Sequence, residues 1–430
     1  MDSTTLIALV AIILFVSLLS MGVPLFVSLF IASVVGFVSI GGWELAMSNI
    51  VGVVANFISS YILTVIPVFI LMGSFAHYSN LMEEVFGVAE IWFGRLRGGL
   101  ALSTVFANAI FAACSGSSVS STLVIGKDAL PAMRKNNYPV SLASGVVAAS
   151  GTLASLIPPS ILICIYALMV EQSVGKLLVA GIIPGIVSAL IYSGYIIVRC
   201  MNVPVKTQRY SIKEKILAMR HLWVIVALVM AILYTLYTGW ATPTEVGAIG
   251  VAVVCFLALV MGRMSWKVFM TSVRSAIYIS GQILILVGAA IFFGRFLAYA
   301  GLSVNACEAV IGLQAPRIVV FIAIMGLYLL LGCFMGAMAM LAVSLPIVYP
   351  IAMSLGFDPI WFGIVVVVFS ETALISPPIG MNVFATSSIA PDIPITTIFK
   401  GSIGFMCMDI VTVFVFYLFP SLITFLPSRM

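Results

Sequence analysis

The residues with the clearest chemical potential occur in two copies, each a small-residue segment followed by a double proline. The first copy consists of ACSGSSVSST at 113–122 and VVAASGTLASLIPPSILI at 146–163. The second consists of LGCFMGAMAM at 331–340 and VVFSETALISPPIGMNVFATSSIA at 367–390. Adjacent prolines remove backbone donors and open a helix, which frees main-chain carbonyl oxygens. Together with hydroxyl oxygens, such carbonyls could replace the hydration shell of a sodium ion.

These segments predict two pseudo-symmetric sodium sites with a solute site between them. Predicted sodium site 1 comprises Ser115, Gly116, Ser117, Ser118, Ser150, Gly151 and Thr152. Predicted sodium site 2 comprises Gly332, Met335, Gly336, Glu371 and Thr372. The predicted solute-binding residues are Ser115, Pro158, Pro159, Ser160, Pro377, Pro378, Gly380 and Asn382. The alternative for any single small residue is that it only allows close helix packing.

Two acids, Glu371 and Asp409, lie deep inside apolar segments. Acids at such positions are functional candidates because a buried charge is costly. For Glu371 a ligand role and a bracing role at the break stay open, whereas for Asp409 we favour a structural partner role. No lysine or arginine falls among the predicted solute-binding residues. An acidic solute there would depend on bound Na⁺ and helix dipoles for positive charge, which is the logic of a symporter.

The composition indicates that these segments lie in a membrane. Of the 430 residues, 63% are hydrophobic and only 8% are charged, against about 25% charged residues in soluble domains. The net charge of +5 resides in short loops between apolar segments, where it sets membrane orientation and does not indicate nucleic acid. The seven cysteines are scattered without a Cys-x-x-Cys pair, which argues against a disulfide framework or zinc site.

The apolar segments predict an all-α integral membrane protein of about ten spans and two re-entrant hairpins. The predicted spans are 4–21, which we interpret as a retained first helix, and 24–41, 50–76, 139–170, 177–199, 221–239, 246–262, 276–300, 359–390 and 402–426. The predicted hairpins are 99–126 and 318–348, each interrupted by glycine and other small residues.

Basic residues support the hairpin interpretation. Threading the chain through alternate sides places 15 of the 19 lysines and arginines on one side, which is therefore predicted to be cytoplasmic. The largest basic group, which includes Lys206, Arg209 and Arg220, lies in the segment 199–220. Both termini are then predicted to be periplasmic.

The halves of the chain form a predicted inverted repeat. Each half has three spans, one hairpin and two spans, and the hairpins open to opposite sides. Pro131 lies 27 residues before Pro158-Pro159, and Pro350 lies 27 residues before Pro377-Pro378. Inverted repeats with broken helices are typical of secondary transporters. The amphipathic segments 77–97 and 263–275 are either ordinary loop helices or arms that connect a scaffold to a moving domain.

The motifs SPPIGMNVFATSSIA (376–390), DPIWFGIVVVVFSETALI (358–375) and GSS…GTLASLIPPSI (116–161) resemble the large membrane subunit of tripartite ATP-independent periplasmic (TRAP) transporters. The resemblance implies an elevator mechanism in a bacterial inner membrane, sodium-driven uptake of an organic acid, and no organic cofactor. It also implies two partners, a small four-helix membrane subunit that is a separate chain and a periplasmic substrate-binding protein. The serine-rich tip at 113–122 is similar to members that import sialic acid, a sugar acid.

An elevator of this kind divides the chain into scaffold and transport segments. We assign 1–98, 176–275, 276–317 and 393–430 to scaffold, arm and linker, and 99–175 and 318–392 to the two halves of the transport domain. The alternative function is a stand-alone sodium-coupled carboxylate carrier. An intramembrane protease is disfavoured because neither His-Glu-x-x-His nor Gly-x-Ser-Gly occurs, and a channel has no need of inverted repeats.

Overall fold

The computed structural model describes residues 3–81, 84–201, 210–219 and 223–430. Within these ranges the chain forms helices and turns and no β-strand. The predicted all-α class is therefore confirmed. Lys206, Arg209 and Arg220, which belong to the predicted basic segment 199–220, lie outside the described residues.

The first half of the chain contains ten described helices. They are α1 (Ser3–Ser20), α2 (Leu25–Ser59), α3 (Val65–Tyr78), α4 (Val85–Phe93), α5 (Gly99–Ser115), α6 (Ser118–Lys135), α7 (Val140–Ser150), α8 (Ile161–Met169), α9 (Val174–Ala180) and α10 (Ile182–Arg199). Helices α5 and α6 form hairpin 1, and α7 and α8 form broken span 1. A 3-10 helix at Gly151–Ser155 extends α7 toward the break.

The second half contains eleven described helices. They are α11 (Ile212–Met219), α12 (Trp223–Thr238), α13 (Pro243–Val260), α14 (Trp266–Tyr299), α15 (Leu302–Gly312), α16 (Arg317–Gly332), α17 (Ala337–Ser354), α18 (Pro359–Ala373), α19 (Met381–Ile389), α20 (Ile395–Leu418) and α21 (Ser421–Thr424). Helices α16 and α17 form hairpin 2, and α18 and α19 form broken span 2. The predicted order of hairpin, broken span and closing helix thus recurs in both halves.

The structure corrects several predicted boundaries. The range of α2 contains two helical stretches that meet at a kink at Gly41 and Gly42, whose backbones leave the helical region, so the chain bends where the predicted span 24–41 ends. The second stretch begins before residue 50 and ends at Ser59, and the predicted span 50–76 is therefore divided between it and α3. The predicted separate segment 263–275 largely forms the start of α14. At 34 residues, α14 is about 50 Å long, which exceeds a hydrocarbon core of about 30 Å. Helix α15 was not predicted, because it follows α14 after only a short turn.

Eight helical segments of the described chain are long and apolar enough to cross a membrane. They are Ser3–Ser20, Leu25–Ser59, Tyr61–Tyr78, Val174–Arg199, Pro243–Val260, Trp266–Tyr299, Ala337–Ser354 and Ile395–Leu418. The two broken spans fall outside this set because each is divided into two shorter helices. Their division is the feature that the double prolines predict.

Polar contacts between loops agree with the predicted grouping of loops by side. Arg263 donates to the Asn80 carbonyl at 2.6 Å and pairs with Glu84 at 2.8 Å, and all three belong to segments predicted to be cytoplasmic. On the side predicted to be periplasmic, Asn305 donates to Thr5 at 2.7 Å. Which of the two groups faces the cytoplasm stays a prediction.

Arg134 and Asp392 form a further ion pair, at 2.7 Å, between loops predicted to be cytoplasmic. The pair joins the end of hairpin 1 to the loop that follows broken span 2. The hydrogen bond from Arg134 lowers the pKa of the Asp392 carboxyl group.

The core is divided between an aromatic cluster and a larger cluster that surrounds the breaks. Phe15, Phe37, Phe293 and Phe296 belong to the first cluster, which joins α1, α2 and α14. Both broken spans belong to the second cluster. The aromatic cluster contains neither double proline and packs α1, α2 and the second half of α14 together with Ala342 of hairpin 2, whereas Ile283 in the first half of α14 belongs to the larger cluster.

Helices α7 and α20 cross with their backbones in close contact. A Cβ atom on Gly145 would meet the main chain of Gly401, and a Cβ atom on Gly401 would meet the Ser141 carbonyl and the Gly145 main chain. Small residues at a crossing allow two backbones to approach closely. Helix α20 is therefore held directly against broken span 1.

We expect Gly401→Ala to lower the thermal unfolding midpoint in detergent, because the added methyl group meets backbone atoms that cannot rotate away. Overpacking of this kind costs about 1–3 kcal/mol. Gly194→Ala is the matched control, because Gly194 also lies within a helix but has nothing within 4 Å of an added Cβ atom. A Gly401→Ala midpoint equal to that of Gly194→Ala would contradict the close crossing.

Candidate functional site

The tip of hairpin 1 is a two-residue reversal between α5 and α6. Gly116 adopts a φ of 58°, a left-handed conformation that glycine accepts without strain. Ser117 then caps α6 by accepting a hydrogen bond from the Ser120 amide. A Cβ atom on Gly116 would meet the carbonyl oxygen of Pro159 at 2.8 Å. The tip therefore lies directly against the first double proline.

Broken span 1 is buried and internally hydrogen-bonded. The peptide bond between Pro158 and Pro159 is cis, and both prolines and Ser160 are buried. The hydroxyl group of Ser160 donates to the Ser155 carbonyl at 2.5 Å and accepts from the Ile163 amide at 3.3 Å. Ser160 thus bridges the break and starts α8.

Hairpin 2 repeats this arrangement with different chemistry. The thiol of Cys333 donates to the carbonyl of Pro377 at 3.4 Å, and the bond between Pro377 and Pro378 is also cis. A Cβ atom on Gly336 would meet the side chain of Met381, which follows the break. Each hairpin tip therefore contacts the double proline of its own half, although Pro377 and Pro378 are exposed.

Glu371, at the end of α18, joins the two halves of the protein. Its carboxyl oxygens accept from Ser118 and from Ser155, both at 2.5 Å. The two serine hydroxyl groups also lie 2.9 Å apart. Two hydroxyl hydrogens can serve only two of these three contacts. A closed ring of three hydrogen bonds therefore requires the carboxyl group to carry a proton.

Asp409 forms a second buried network next to the first. It accepts from the Tyr192 hydroxyl at 2.7 Å and from the Thr372 hydroxyl at 3.0 Å. The Tyr192 oxygen also lies 3.3 Å from the Thr152 hydroxyl of broken span 1. Asp409 therefore connects α10, α18 and α20, a bonded arrangement that fits the structural role favoured from the sequence.

Charge balance constrains both acids. Glu371 and Asp409 are buried, and within the described ranges neither forms an ion pair with lysine or arginine. A buried carboxylate without a counter-charge is strongly unfavourable, so it is neutralised by a proton or by a bound cation. The network therefore provides a place where cation or proton binding would alter the stability of the contact between the two halves.

The structure brings predicted sodium site 1 together. A Cβ atom on Gly151 would meet the Ser118 carbonyl and the Thr122 hydroxyl oxygen, so the hairpin and broken span 1 are in contact there. Several hydroxyl groups of the site are already bonded, because Ser150 accepts from Asn108 and Thr152 donates to the Ala149 carbonyl. Sodium binding by these residues stays a prediction.

Predicted sodium site 2 is divided. Gly332 packs against Ala373 and Gly336 against Met381, so hairpin 2 does contact this region. The side chains of Glu371 and Thr372, however, bond to hairpin 1 and α20 and not to hairpin 2. The rotation of α18 about its axis causes the difference, because residues 371 and 372 face away from the tip. Met335 is half-buried next to the core.

Four buried oxygen atoms near the breaks have no hydrogen-bond partner within the described chain. They belong to Ser115, Thr122, Ser370 and Asn382. Asn382 donates through its amide nitrogen to the Ala148 carbonyl at 3.2 Å, which leaves its side-chain oxygen unpaired. Thr122 lies next to Gly151 of predicted site 1. Unpaired buried oxygens fit the oxygen ligands that a hard cation requires, whereas the described residues contain no cluster of three or more His, Cys, Asp or Glu side chains.

A narrow cavity of about 160 Å³ opens beside the tip of hairpin 1. Its polar lining comprises Ser74, His77, Tyr78, Ser115, Ser117, Ser120 and Ser275. Of the predicted solute-binding residues only Ser115 lines it, whereas Pro158, Pro159 and Ser160 are buried nearby and the residues of break 2 lie elsewhere. His77 was not among the candidate site residues predicted from the sequence. The feature that could have indicated it is the position of a histidine at the end of an apolar span.

A wide cavity of about 860 Å³ lies elsewhere along the same helices. Its polar lining comprises Asn56, Ser60, Glu171, Gln172, Ser173, Arg295 and Tyr349. None of these residues was predicted to bind the solute.

The two cavities lie at opposite ends of one seam between helices. Helix α14 lines the narrow cavity at Ser275 and the wide cavity at Arg295. The nearest lining residues on α14 are Ile279 and Ala290, and eleven residues of helix correspond to about 16 Å. Helices α8 and α17 also line both cavities, each with its two ends. Helix α3 lines the narrow cavity, and the residues just before it line the wide one. Along α3, α8 and α17, the buried residues Ile66, Ile165 and Leu341 lie between the residues that line the two cavities.

Comparison with known proteins identifies a family match over most of the chain. Residues 12–422 match the family model described as "Tripartite ATP-independent periplasmic transporter, DctM component". A C4-dicarboxylate TRAP transporter large permease protein of Pseudomonas aeruginosa is 32% identical over 86% of this chain and 86% of its own length.

Other similar proteins are named for different solutes. The sialic acid TRAP transporter permease protein of Haemophilus influenzae is 26% identical over 97% of this chain and 68% of its own length. Further similar proteins are named for isethionate and ectoine. Among solved structures, the YdaH transporter of Alcanivorax borkumensis covers 89% of this chain and 90% of its own, with a TM-score of 0.63 and 15% identity. That likeness shows a shared fold.

We expect Ser155→Ala to destabilise the protein by about 1–3 kcal/mol, because a buried carboxyl oxygen loses its donor. Glu371→Gln should destabilise it as well, and the double variant should cost less than the sum because the two changes disrupt one contact. Thermal unfolding in detergent measures all three variants, and Ser428→Ala, at an exposed position, is the control. Strictly additive effects would contradict the ring of hydrogen bonds.

Proposed function

The chain belongs to the DctM-component family of TRAP transporters, and on that premise we propose that it carries a small organic acid across a bacterial inner membrane with Na⁺ as the coupling ion. The observation that best supports this function is the seam with one cavity at each end. A solute that moves along the seam would pass the tip of hairpin 1 and the start of α8. The closed region between the cavities then separates the two sides of the membrane.

Sodium coupling is supported by the oxygen atoms around broken span 1. The unpaired oxygens of Thr122 and Asn382 lie on α6 and α19, and both helices pack against α7. A cation bound there would hold hairpin 1, broken span 1 and broken span 2 together. Glu371 lies a few residues before the second double proline. Its hydrogen bonds to Ser118 and Ser155 would form only while the two halves keep this arrangement.

An elevator movement is supported by the division of the core. We propose that α1, α2 and α14 belong to the scaffold, because their aromatic cluster excludes both double prolines. We further propose that α10 and α20 move with the broken spans, although the sequence placed 176–275 and 393–430 in the scaffold. Helices α10 and α20 contact the broken spans through Tyr192 and Asp409 and through the crossing at Gly401. These contacts would break if the broken spans slid past α10 and α20.

The solute class that we propose is a small molecule with at least one carboxylate or sulfonate group. Relatives named for C4-dicarboxylate, sialic acid, isethionate and ectoine all handle molecules that carry such a group. Sialic acid, which the serine-rich tip suggested, is retained as one member of the class to be tested. Two relatives named for sialic acid are 26% and 25% identical to this chain, against 32% for the Pseudomonas aeruginosa relative named for C4-dicarboxylate.

We also propose that the chain works with a small membrane subunit and a periplasmic substrate-binding protein. The support is the family, whose description names a tripartite periplasmic system. A stand-alone sodium-coupled carboxylate carrier is the alternative that the first experiment addresses.

Proteoliposomes that contain the large and small subunits should take up labelled succinate, sialic acid, isethionate or ectoine only with an inward sodium gradient and the matching binding protein. The expected dependence follows from the missing counter-charge at the breaks and from family membership. A proton gradient in sodium-free buffer is the matched control. Equal uptake in that control would refute sodium coupling, and full uptake without binding protein would favour the stand-alone carrier.

Thr122→Val should raise the sodium concentration for half-maximal uptake about tenfold, because it replaces an unpaired oxygen with a methyl group of similar shape; a tenfold change corresponds to about 1.4 kcal/mol. Thr412→Val is the control, because Thr412 is equally buried but its hydroxyl group bonds within α20. An unchanged sodium dependence in Thr122→Val would exclude Thr122 as a ligand.

A further inference from the structure

The wide cavity contains a charge that the predicted solute site lacks. Arg295 of α14 is the one lysine or arginine that lines either the narrow or the wide cavity among the residues the structure describes. Its guanidinium group lies against α2, with Nη1 3.4 Å from where a Cβ atom on Gly52 would be. No described side chain forms an ion pair with it. The positive charge is therefore free to pair with a ligand.

Among the described residues that line the same cavity, Glu171 is the one acid. It is exposed and makes no ion pair with Arg295, since the two are not within 4.0 Å. The two charges hence act on the cavity separately. A charged wall in a cleft with apolar sides raises the local concentration of the opposite ion. Neutralising either residue should therefore change the anion preference of the cavity, in opposite directions.

Further polar groups in the cavity suit an organic acid. Asn56 of α2, Gln172 after α8 and Tyr349 of α17 line it together with Arg295. Amide and hydroxyl groups can bind the hydroxyl or second acidic group of such a solute. The volume of about 860 Å³ is in the range of small-molecule sites. The sequence-based orientation puts this cavity on the periplasmic side, where a solute would arrive.

We propose that the wide cavity is a binding site for small organic anions, in which Arg295 pairs with a carboxylate or sulfonate group. The choice of the transported solute as its ligand rests on the proposed function, whereas anion binding itself does not. A lipid phosphate would present the same chemistry, because arginines near helix ends also reach headgroups. The test therefore separates a soluble anion from a lipid.

The test measures the electrostatic field in the cavity through a cysteine at position 56. Asn56→Cys in the full chain, held in phosphatidylcholine nanodiscs, is alkylated with a sulfonated and a trimethylammonium methanethiosulfonate of similar size. Peptide mass spectrometry separates position 56 from the native cysteines. The ratio of anionic to cationic rates should fall about tenfold when Arg295→Gln is added. The same ratio should stay unchanged in Arg295→Lys, which retains the positive charge, and should rise in Glu171→Gln.

Succinate is the probe for binding. At millimolar concentration it should slow alkylation at position 56, and Arg295→Gln should abolish that protection. Lys176→Gln is the control, because Lys176 is basic but does not line the cavity. A ratio and a protection unaffected by Arg295→Gln would overturn the proposal. Protection that disappears in phosphatidylglycerol nanodiscs would assign the cavity to lipid and also overturn it.

Uptake distinguishes this inference from the proposed function. Protection by succinate without uptake of any acid in the complete transporter would refute the proposed function but leave the anion site standing. Sodium-dependent uptake that is unchanged in Arg295→Gln would agree with the proposed function but would show that Arg295 has no role in transport.

Discussion

The structure depends on one constraint, which is that the polar groups exposed by two broken helices must be satisfied inside an apolar helix bundle. Water is not available to do so at membrane depth. Each hairpin tip therefore contacts the double proline of its own half, through Gly116 at Pro159 and through Cys333 at Pro377. Other groups are satisfied across the halves, where Glu371 accepts from Ser118 and Asn382 donates to Ala148. Breaks and hairpins thus form one polar centre.

The same constraint explains why this centre would respond to a cation. If every buried oxygen had a hydrogen-bond partner within the bundle, a bound cation would find no free oxygen ligand there. Here Thr122 and Asn382 keep unpaired oxygens, and Glu371 and Asp409 have no basic partner in the described chain. A cation that supplied the missing charge would stabilise the contact between halves, so the position of the halves and ion occupancy would be thermodynamically linked. Coupled transport requires such a linkage.

The sequence was sufficient for the architecture but not for the orientation of individual side chains. Composition and double prolines predicted the all-α class, the hairpins and the broken spans, because lipid allows few alternatives. They did not predict that α14 is one continuous helix, since an amphipathic start and an apolar remainder look like separate segments. They also placed Glu371 and Thr372 opposite hairpin 2, because sequence gives the depth of a residue in a helix but not its rotation toward one neighbour. The sequence did not predict the wide cavity either, because its lining comes from four helices, α2, α8, α14 and α17, whose facing sides the sequence does not reveal.

The two halves share a plan, yet their breaks differ in exposure, with Pro158 and Pro159 buried and Pro377 and Pro378 exposed. Two identical, symmetric halves would offer the solute equal access from both sides, which would dissipate any gradient. A transporter built from an inverted repeat must therefore break its symmetry in each state, by covering one tip more fully than the other. The polar tip 115–118 is the more buried one and lies beside the narrow cavity, whereas Phe334 of the apolar tip is exposed. In the transport cycle proposed above, this difference in exposure between the two tips would have to reverse between the two states.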